Sequence, residues 1–223
     1  MPSIEITRID PYDRDAFDAW WDAYAEARRA DLGEDAVVWS REESRTELQQ
    51  DSATTRRQAY AATRGGVVVG AGSLALPLKD NLHAAMMGVN VPPQHRRSGV
   101  GSALLEHIEA DAARSGRSTM RAEIVWSASL PSDGTGAPNR EFARRHGYEL
   151  ALGDVQNRLD LPVASAVLEA LMSEAPGDGY ELRSWVGPVP DEFVAEWSAL
   201  DALLDTEAPT GTLDVEASTS DVG

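Results

Sequence analysis

The run Val89-Asn90-Val91-Pro92-Pro93-Gln94-His95-Arg96-Arg97-Ser98-Gly99-Val100-Gly101-Ser102-Ala103-Leu104-Leu105 constrains the fold of this chain more than any other segment. It reads as the end of a β-strand, a short basic loop with two glycines two apart, and the start of an amphipathic helix. Glycine lets backbone come close to a ligand, and the free N–H groups and dipole of a helix start favour an anion. The segment therefore predicts an anion cradle suited to a pyrophosphate. A dinucleotide fingerprint would need a third small residue where Leu104 stands, and a nucleoside-triphosphate loop would need Gly-Lys-Ser/Thr.

The chain before the cradle predicts a first strand, two helices and then three antiparallel strands that feed it. Ser3–Ile9 alternates apolar and polar residues as a half-buried strand. Phe17, Trp20, Trp21 and Tyr24 then fall at helical spacing, an aromatic stripe that reads first as core and second as a pocket wall. Ser40 and Glu43 form a capping box that opens a second helix running to about Gln50. Strands are expected over Arg57–Thr63 and Val67–Leu78, joined at Arg64-Gly65-Gly66 as a tight hairpin. Lys79-Asp80-Asn81 turns the chain into a strand over Leu82–Val91.

The helix after the cradle stops at Ser115-Gly116, with Arg114 in its last turn. A strand is expected over Thr119–Ser127, parallel to the one before the helix because the connection is a crossover. Its Arg121, Glu123, Val125 and Ser127 share one face. Leu130–Pro138 is a loop rich in Ser, Gly and Pro, and Asn139–Tyr148 is a short helix capped at Gly147.

The pattern Arg96-x-x-Gly99-x-Gly101 after a Val-x-Val-Pro strand end resembles the acetyl-coenzyme-A loop of the GNAT family of N-acetyltransferases. Asn139–Tyr148, a helix ending in Gly-Tyr before a strand, resembles that family's next signature. The resemblance implies an α/β fold with a mixed, mostly antiparallel central sheet whose one parallel pair splays at the cofactor site. It implies acetyl-CoA as donor, held by Val89, Asn90, Val91, Arg96, Arg97, Ser98, Gly99, Val100, Gly101, Ser102 and Asn139. Many members carry a tyrosine four residues before the glycine as the acid for the leaving thiolate; Ala143 stands there. Ser127, Tyr148 or water are the remaining acids, unless the thiolate needs none. Glu123 is the expected base, acting through a water on a primary amine that attacks the thioester directly. The alternative is a non-catalytic module that binds coenzyme A for regulation or assembly.

Beyond Tyr148, strands are expected between 148 and 161, a short helix on Val163, Val167, Leu168 and Leu171, a strand over Tyr180–Trp185, and a helix on Phe193, Trp197, Leu200 and Leu204. At an offset of 176 residues, Glu5, Asp15, Phe17, Ala19, Trp21 and Ala23 match Glu181, Asp191, Phe193, Ala195, Trp197 and Ala199. This looks like the first strand and helix of a second copy, and it resembles the tandem acetyltransferases that include mycothiol synthase. The expected organisation is an acetyltransferase domain over 1–162, an extension over 163–211, and a disordered tail over 212–223. The extension marks a short or truncated relative of the tandem enzymes, a half that needs a partner, or else its strand near Tyr180 adds to the domain's own sheet while the last helix packs on the domain or on a second subunit as a homodimer.

Composition narrows the partners. The formal charge of −17 repels nucleic acid, and no apolar run is long enough for a bilayer span, so a cytoplasmic protein acting on a small molecule is expected. Without cysteine, and with four scattered histidines, no metal site is expected. Acids concentrate over 10–35 and 201–223 and arginines over 95–121 and 140–145, an asymmetry that suits a cationic acceptor facing an anionic donor, or merely solvates the surface.

Overall fold

The structure is a computed structural model that describes residues 2–174, 179 and 181–216; within the last helix, the side chains of residues 202 and 204–206 are not described. Two compact units divide it: residues 2–149 with 215–216, and residues 150–214. Among the described residues, no helix is long and apolar enough to cross a membrane.

The first unit is built on one five-stranded sheet in the order β1-β2-β3-β4-β5: β1 (Ile4–Arg8), β2 (Thr55–Arg64), β3 (Val67–Pro77), β4 (Ala84–Asn90) and β5 (Thr119–Ala122). The first three pairings are antiparallel, and β4 with β5 is parallel. Gly65 and Gly66 close the β2–β3 hairpin with φ of 60° and 80°, the left-handed pair that a two-residue turn requires.

Helices cover both faces, because β2 and β3 alternate small and large apolar residues. On one side lies α1 (Arg14–Leu32), capped by Asp13, whose carboxylate accepts the Ala16 N–H at 3.1 Å. Its Phe17, Trp20 and Ala23 pack on Ala59, Ala61 and Ala71. The Trp20 indole donates to Gly72 O at 3.1 Å, so the aromatic stripe is mainly core. Trp21 is half-buried against the same cluster, with the guanidiniums of Arg29 and Arg41 near its ring. The expected capping box opens α2 (Arg41–Gln49), with both of its hydrogen bonds formed.

On the other face, α3 (Val100–Arg114) buries Leu104, Ile108 and Ala112 against Tyr60, Leu74, Leu76 and Ala85. Tyr60 is buried and donates its hydroxyl to Asp111 near the end of α3. Burial, then this hydrogen bond, pushes the phenol pKa above its ordinary value, while the bond lowers that of Asp111. A depressed carboxyl pKa stabilises the fold above its unfolded value, near 4, and that contribution is lost as pH falls through the folded value. Tyr60→Phe is accordingly expected to cost about 1 kcal/mol at neutral pH, a cost that shrinks on acidification. Urea unfolding at pH 7 and pH 3 checks it, and an equal loss at both values would contradict the linkage.

Three expected strands fall short. The one begun at Thr119 ends at Ala122, because beyond the Met87–Ala122 pairing β5 leaves β4. Val125 O then accepts the Asn139 side-chain N–H at 2.7 Å instead of a ladder bond. Residues 149–160 form no strand, and Val155, Leu159 and Leu161 stand largely exposed. Alternation marks what could pair, not that a partner edge exists. Residues 181–185 are likewise not a strand, and Tyr180 lies outside the described residues.

The second unit does contain the expected helices, α5 (Ser165–Glu174) and α6 (Val194–Glu207), with Trp185 packed on Phe193 and Trp197. Of the expected tail, Glu216 belongs to the first unit: its backbone and side chain share three hydrogen bonds of 2.8–3.1 Å with Asn81. Residues 217–223 lie outside the described residues.

Candidate active site

Where β5 leaves β4, the edge of Gly88-Val89-Asn90 that faced it has no strand partner, since β4 pairs β5 only as far as Met87. A cavity of about 510 Å³ opens there. Its floor is Met87–Val91 and 122–125, one wall is the cradle with the start of α3, and another is α4 (Pro138–Arg145) with His146 and Tyr148. The last turns of α1 complete it through Ala27, Arg28, Asp31 and Leu32, so the helix contributes its C-terminal end and not its aromatic stripe.

The cradle is shaped by Gly99, the N-cap of α3, at φ 87° in the left-handed region. The first helical bond runs from Ala103 N–H to Gly99 O at 3.0 Å, leaving the N–H groups of Val100, Gly101 and Ser102 without acceptors inside the helix. Arg97 and Arg145 also line the cavity and make no ion pair among the described residues. Free N–H groups, a helix dipole and two unpaired guanidiniums make this end of the cavity anion-seeking.

Of the expected donor residues, Val89, Asn90, Val91, Arg96, Arg97, Gly99, Gly101, Ser102 and Asn139 line the cavity. Val100 has its side chain buried under α3, and the Ser98 hydroxyl donates to His95 O at 2.6 Å. Asn139 keeps one amide hydrogen, the other being given to Val125 O.

The three expected catalytic residues separate. Glu123 lines the cavity just past the end of β5. Ser127 does not; its hydroxyl lies 2.9 Å from that of Ser129. Tyr148 lines the cavity, but its hydroxyl donates to Glu109 on α3 at 2.7 Å, and burial followed by that bond raises its pKa. Glu109 lies seven residues, roughly 10 Å along the axis, beyond Ser102.

Two features carried little sequence signal. Phe142 packs on Gly101, where an added Cβ would lie 3.2 Å from the ring, and His146 Nε2 lies 3.1 Å from the Ser102 hydroxyl. The basic run at 140–145 is the one hint of the second wall. The acids of α1, by contrast, are largely spoken for. Asp18 is paired with Arg41 and Arg45, Asp22 with Arg41, and Asp31 with Arg96.

A mixed sheet whose parallel pair parts beside a glycine loop at a helix start is the arrangement that the sequence resemblance to the GNAT family implies. The Acetyltransferase (GNAT) family matches residues 15–148, and the chain belongs to that family. A tandem GNAT protein from the clavulanic acid biosynthesis pathway, solved without acetyl-CoA, is 27% identical with a TM-score of 0.66. That alignment covers 89% of this chain and 60% of the tandem protein, so the chain spans about three fifths of that relative's length.

Two further structures share the fold. One is an aminoglycoside acetyltransferase from an uncultured soil metagenomic sample, in complex with sisomicin, at 15% identity and TM-score 0.51, covering 71% of this chain and 97% of that one. The other is an aminoglycoside N-acetyltransferase in complex with CoA, at 14% identity and TM-score 0.50, covering 71% and 96%. No curated protein matches the chain significantly.

Proposed function

We propose that this protein transfers the acetyl group of acetyl-CoA to a primary amine of a small cationic acceptor, by direct attack in a ternary complex. One observation carries the reading: the cavity joins an anion-seeking cradle to an unpaired strand edge. The pyrophosphate is held by the N–H groups of Val100–Ser102 with Arg97 and Arg145. The pantetheine arm runs along Val89–Val91 toward Asn139, whose second amide hydrogen is available. The thioester then lies between β4 and β5, beside Glu123.

Glu123 takes the proton from the ammonium through a water, and it is also the carboxylate left to meet the acceptor's charge, since Asp31 is held by Arg96. Ala143 has no hydroxyl, and those of Ser127 and Tyr148 are engaged elsewhere, so the thiolate leaves without a protein acid. Glu123→Gln is expected to lower kcat/KM by about 100-fold. An unchanged rate would take Glu123 out of the mechanism.

The test of the function is thiol release from acetyl-CoA over a panel of amines that includes polyamines and aminoglycosides. Turnover only on neutral or acidic amines would refute the cationic acceptor. The vacant acid position at Ala143 favours one rival, a non-catalytic coenzyme-A-binding module, which tight CoA binding without turnover on any amine would support.

We further propose that the domain over 1–162 carries the activity and that the extension over 163–211 is the start of a second acetyltransferase-like copy that serves a homodimer. Trp197 and Leu200 on α6 remain about half exposed or more, apolar surface of the kind that a second subunit could cover. A monomeric mass in solution would exclude the dimer. The protein acts in the cytoplasm on this reading.

A further inference from the structure

Arg96 opens the glycine motif and lines an anion-seeking cavity, yet its guanidinium is already occupied. Nε donates to Val91 O at 2.8 Å, and Nη1 and Nη2 donate to the two Asp31 carboxylate oxygens at 2.7 and 3.1 Å. Nη2 also reaches Ala27 O at 3.5 Å. These contacts use four of the five N–H groups that arginine owns. One side chain therefore staples three pieces together: the loop that carries it, the end of β4, and the last turns of α1.

From this geometry we infer that the Arg96–Asp31 pair is a positioning clamp for the donor loop. Asp31 strengthens donor binding although it is a carboxylate in an anion-binding cavity. The clamp fixes the loop before the ligand arrives, so the free N–H groups of Val100–Ser102 need not be ordered at the moment of binding. Only a planar, forked cation can satisfy a backbone carbonyl and both carboxylate oxygens together, which gives the position its need for arginine over lysine.

The expected sign of the Asp31 effect opposes simple electrostatics. Removing the Asp31 charge brings the cavity closer to a bare positive site, and if Arg96 were a phosphate ligand held back by Asp31, Asp31→Asn would tighten coenzyme A. The clamp requires it to weaken. The affinity arm rests on the proposed donor; a second arm does not.

Calorimetric titration with CoA is expected to give about tenfold weaker binding for Asp31→Asn and Arg96→Lys, and near-native binding for Asp31→Glu, which keeps the carboxylate. In ligand-free protein, the amides of His95, Arg96 and Ala103, hydrogen-bonded to Pro92 O, Pro93 O and Gly99 O, are expected to exchange several-fold faster in Asp31→Asn. Equal or tighter CoA binding by Asp31→Asn would overturn the clamp. Should CoA fail to bind the wild-type protein, the donor reading falls instead, and the exchange arm decides alone: unchanged protection overturns the clamp, and faster exchange supports it.

Discussion

Gly101→Val is expected to weaken coenzyme A binding by about 100-fold, equivalent to ~2.7 kcal/mol, with a much smaller loss of stability. Gly101 lies in the first turn of α3, and a Cβ there would lie 3.2 and 3.3 Å from Cε2 and Cζ of Phe142 and 3.7 Å from Cγ2 of Val91. Those three groups all line the cavity. Alanine asks the Phe142 ring to yield by a few tenths of an ångström, so Gly101→Ala is expected to cost only a few-fold in affinity. Valine adds two methyls that either enter the space beside the free N–H groups or drive Phe142 into it. The backbone at this position is ordinary helix, so the loss comes from the wall and not from backbone strain. Titration of both variants with CoA checks the order Gly, Ala, Val. Native affinity in Gly101→Val would remove the start of α3 from the donor site.

Features whose chemistry is complete within a few residues were legible in the sequence. Ser40 and Glu43 cap each other across three residues, and Gly65-Gly66 closes the β2–β3 turn with no distant partner. The cradle belongs to the same kind, because Gly99 and the helix it caps are neighbours in the chain. Features that depend on a partner far along the chain were not legible. The alternation over Thr119–Ser127 is genuine, but Asn139 claims Val125 O, and no pattern inside the strand announces that competitor. Asp31 and Arg96 stand 65 residues apart and meet only because α1 and the cradle border one cavity. The acidity of α1 misled for the same reason: composition counts Asp18, Asp22 and Asp31 as free charge, and the fold gives each to an arginine. Tyr148 is a candidate acid by residue type alone, while the direction of its hydroxyl is set by Glu109 on another helix.

A large effect on stability is expected at Gly72, in the middle of β3 opposite Tyr60 and Val89. An added Cβ would lie 2.8 Å from Ile108 Cδ1 and 3.1 Å from Leu104 Cδ2, contacts too short for carbon, and both neighbours are fully buried side chains of α3 with little room to yield. On the opposite face the Trp20 indole holds Gly72 O, so the strand is pinned from α1 and resists sliding away. Gly72→Val is therefore expected to destabilise the protein by about 3 kcal/mol or more, the upper end for overpacking a filled core, and to displace the helix whose first turn forms the cradle. The mechanism is separable from a general intolerance of substitution. Ile108→Val alone removes the offending Cδ1 and costs roughly 1 kcal/mol through lost packing. Combined with Gly72→Ala, it should cost clearly less than the sum of the two single changes, because the cavity left by one receives the methyl added by the other. Urea unfolding of the four proteins in that cycle gives the coupling directly. Simple additivity would mean that the sheet, and not the Ile108 side chain, limits how closely α3 can approach.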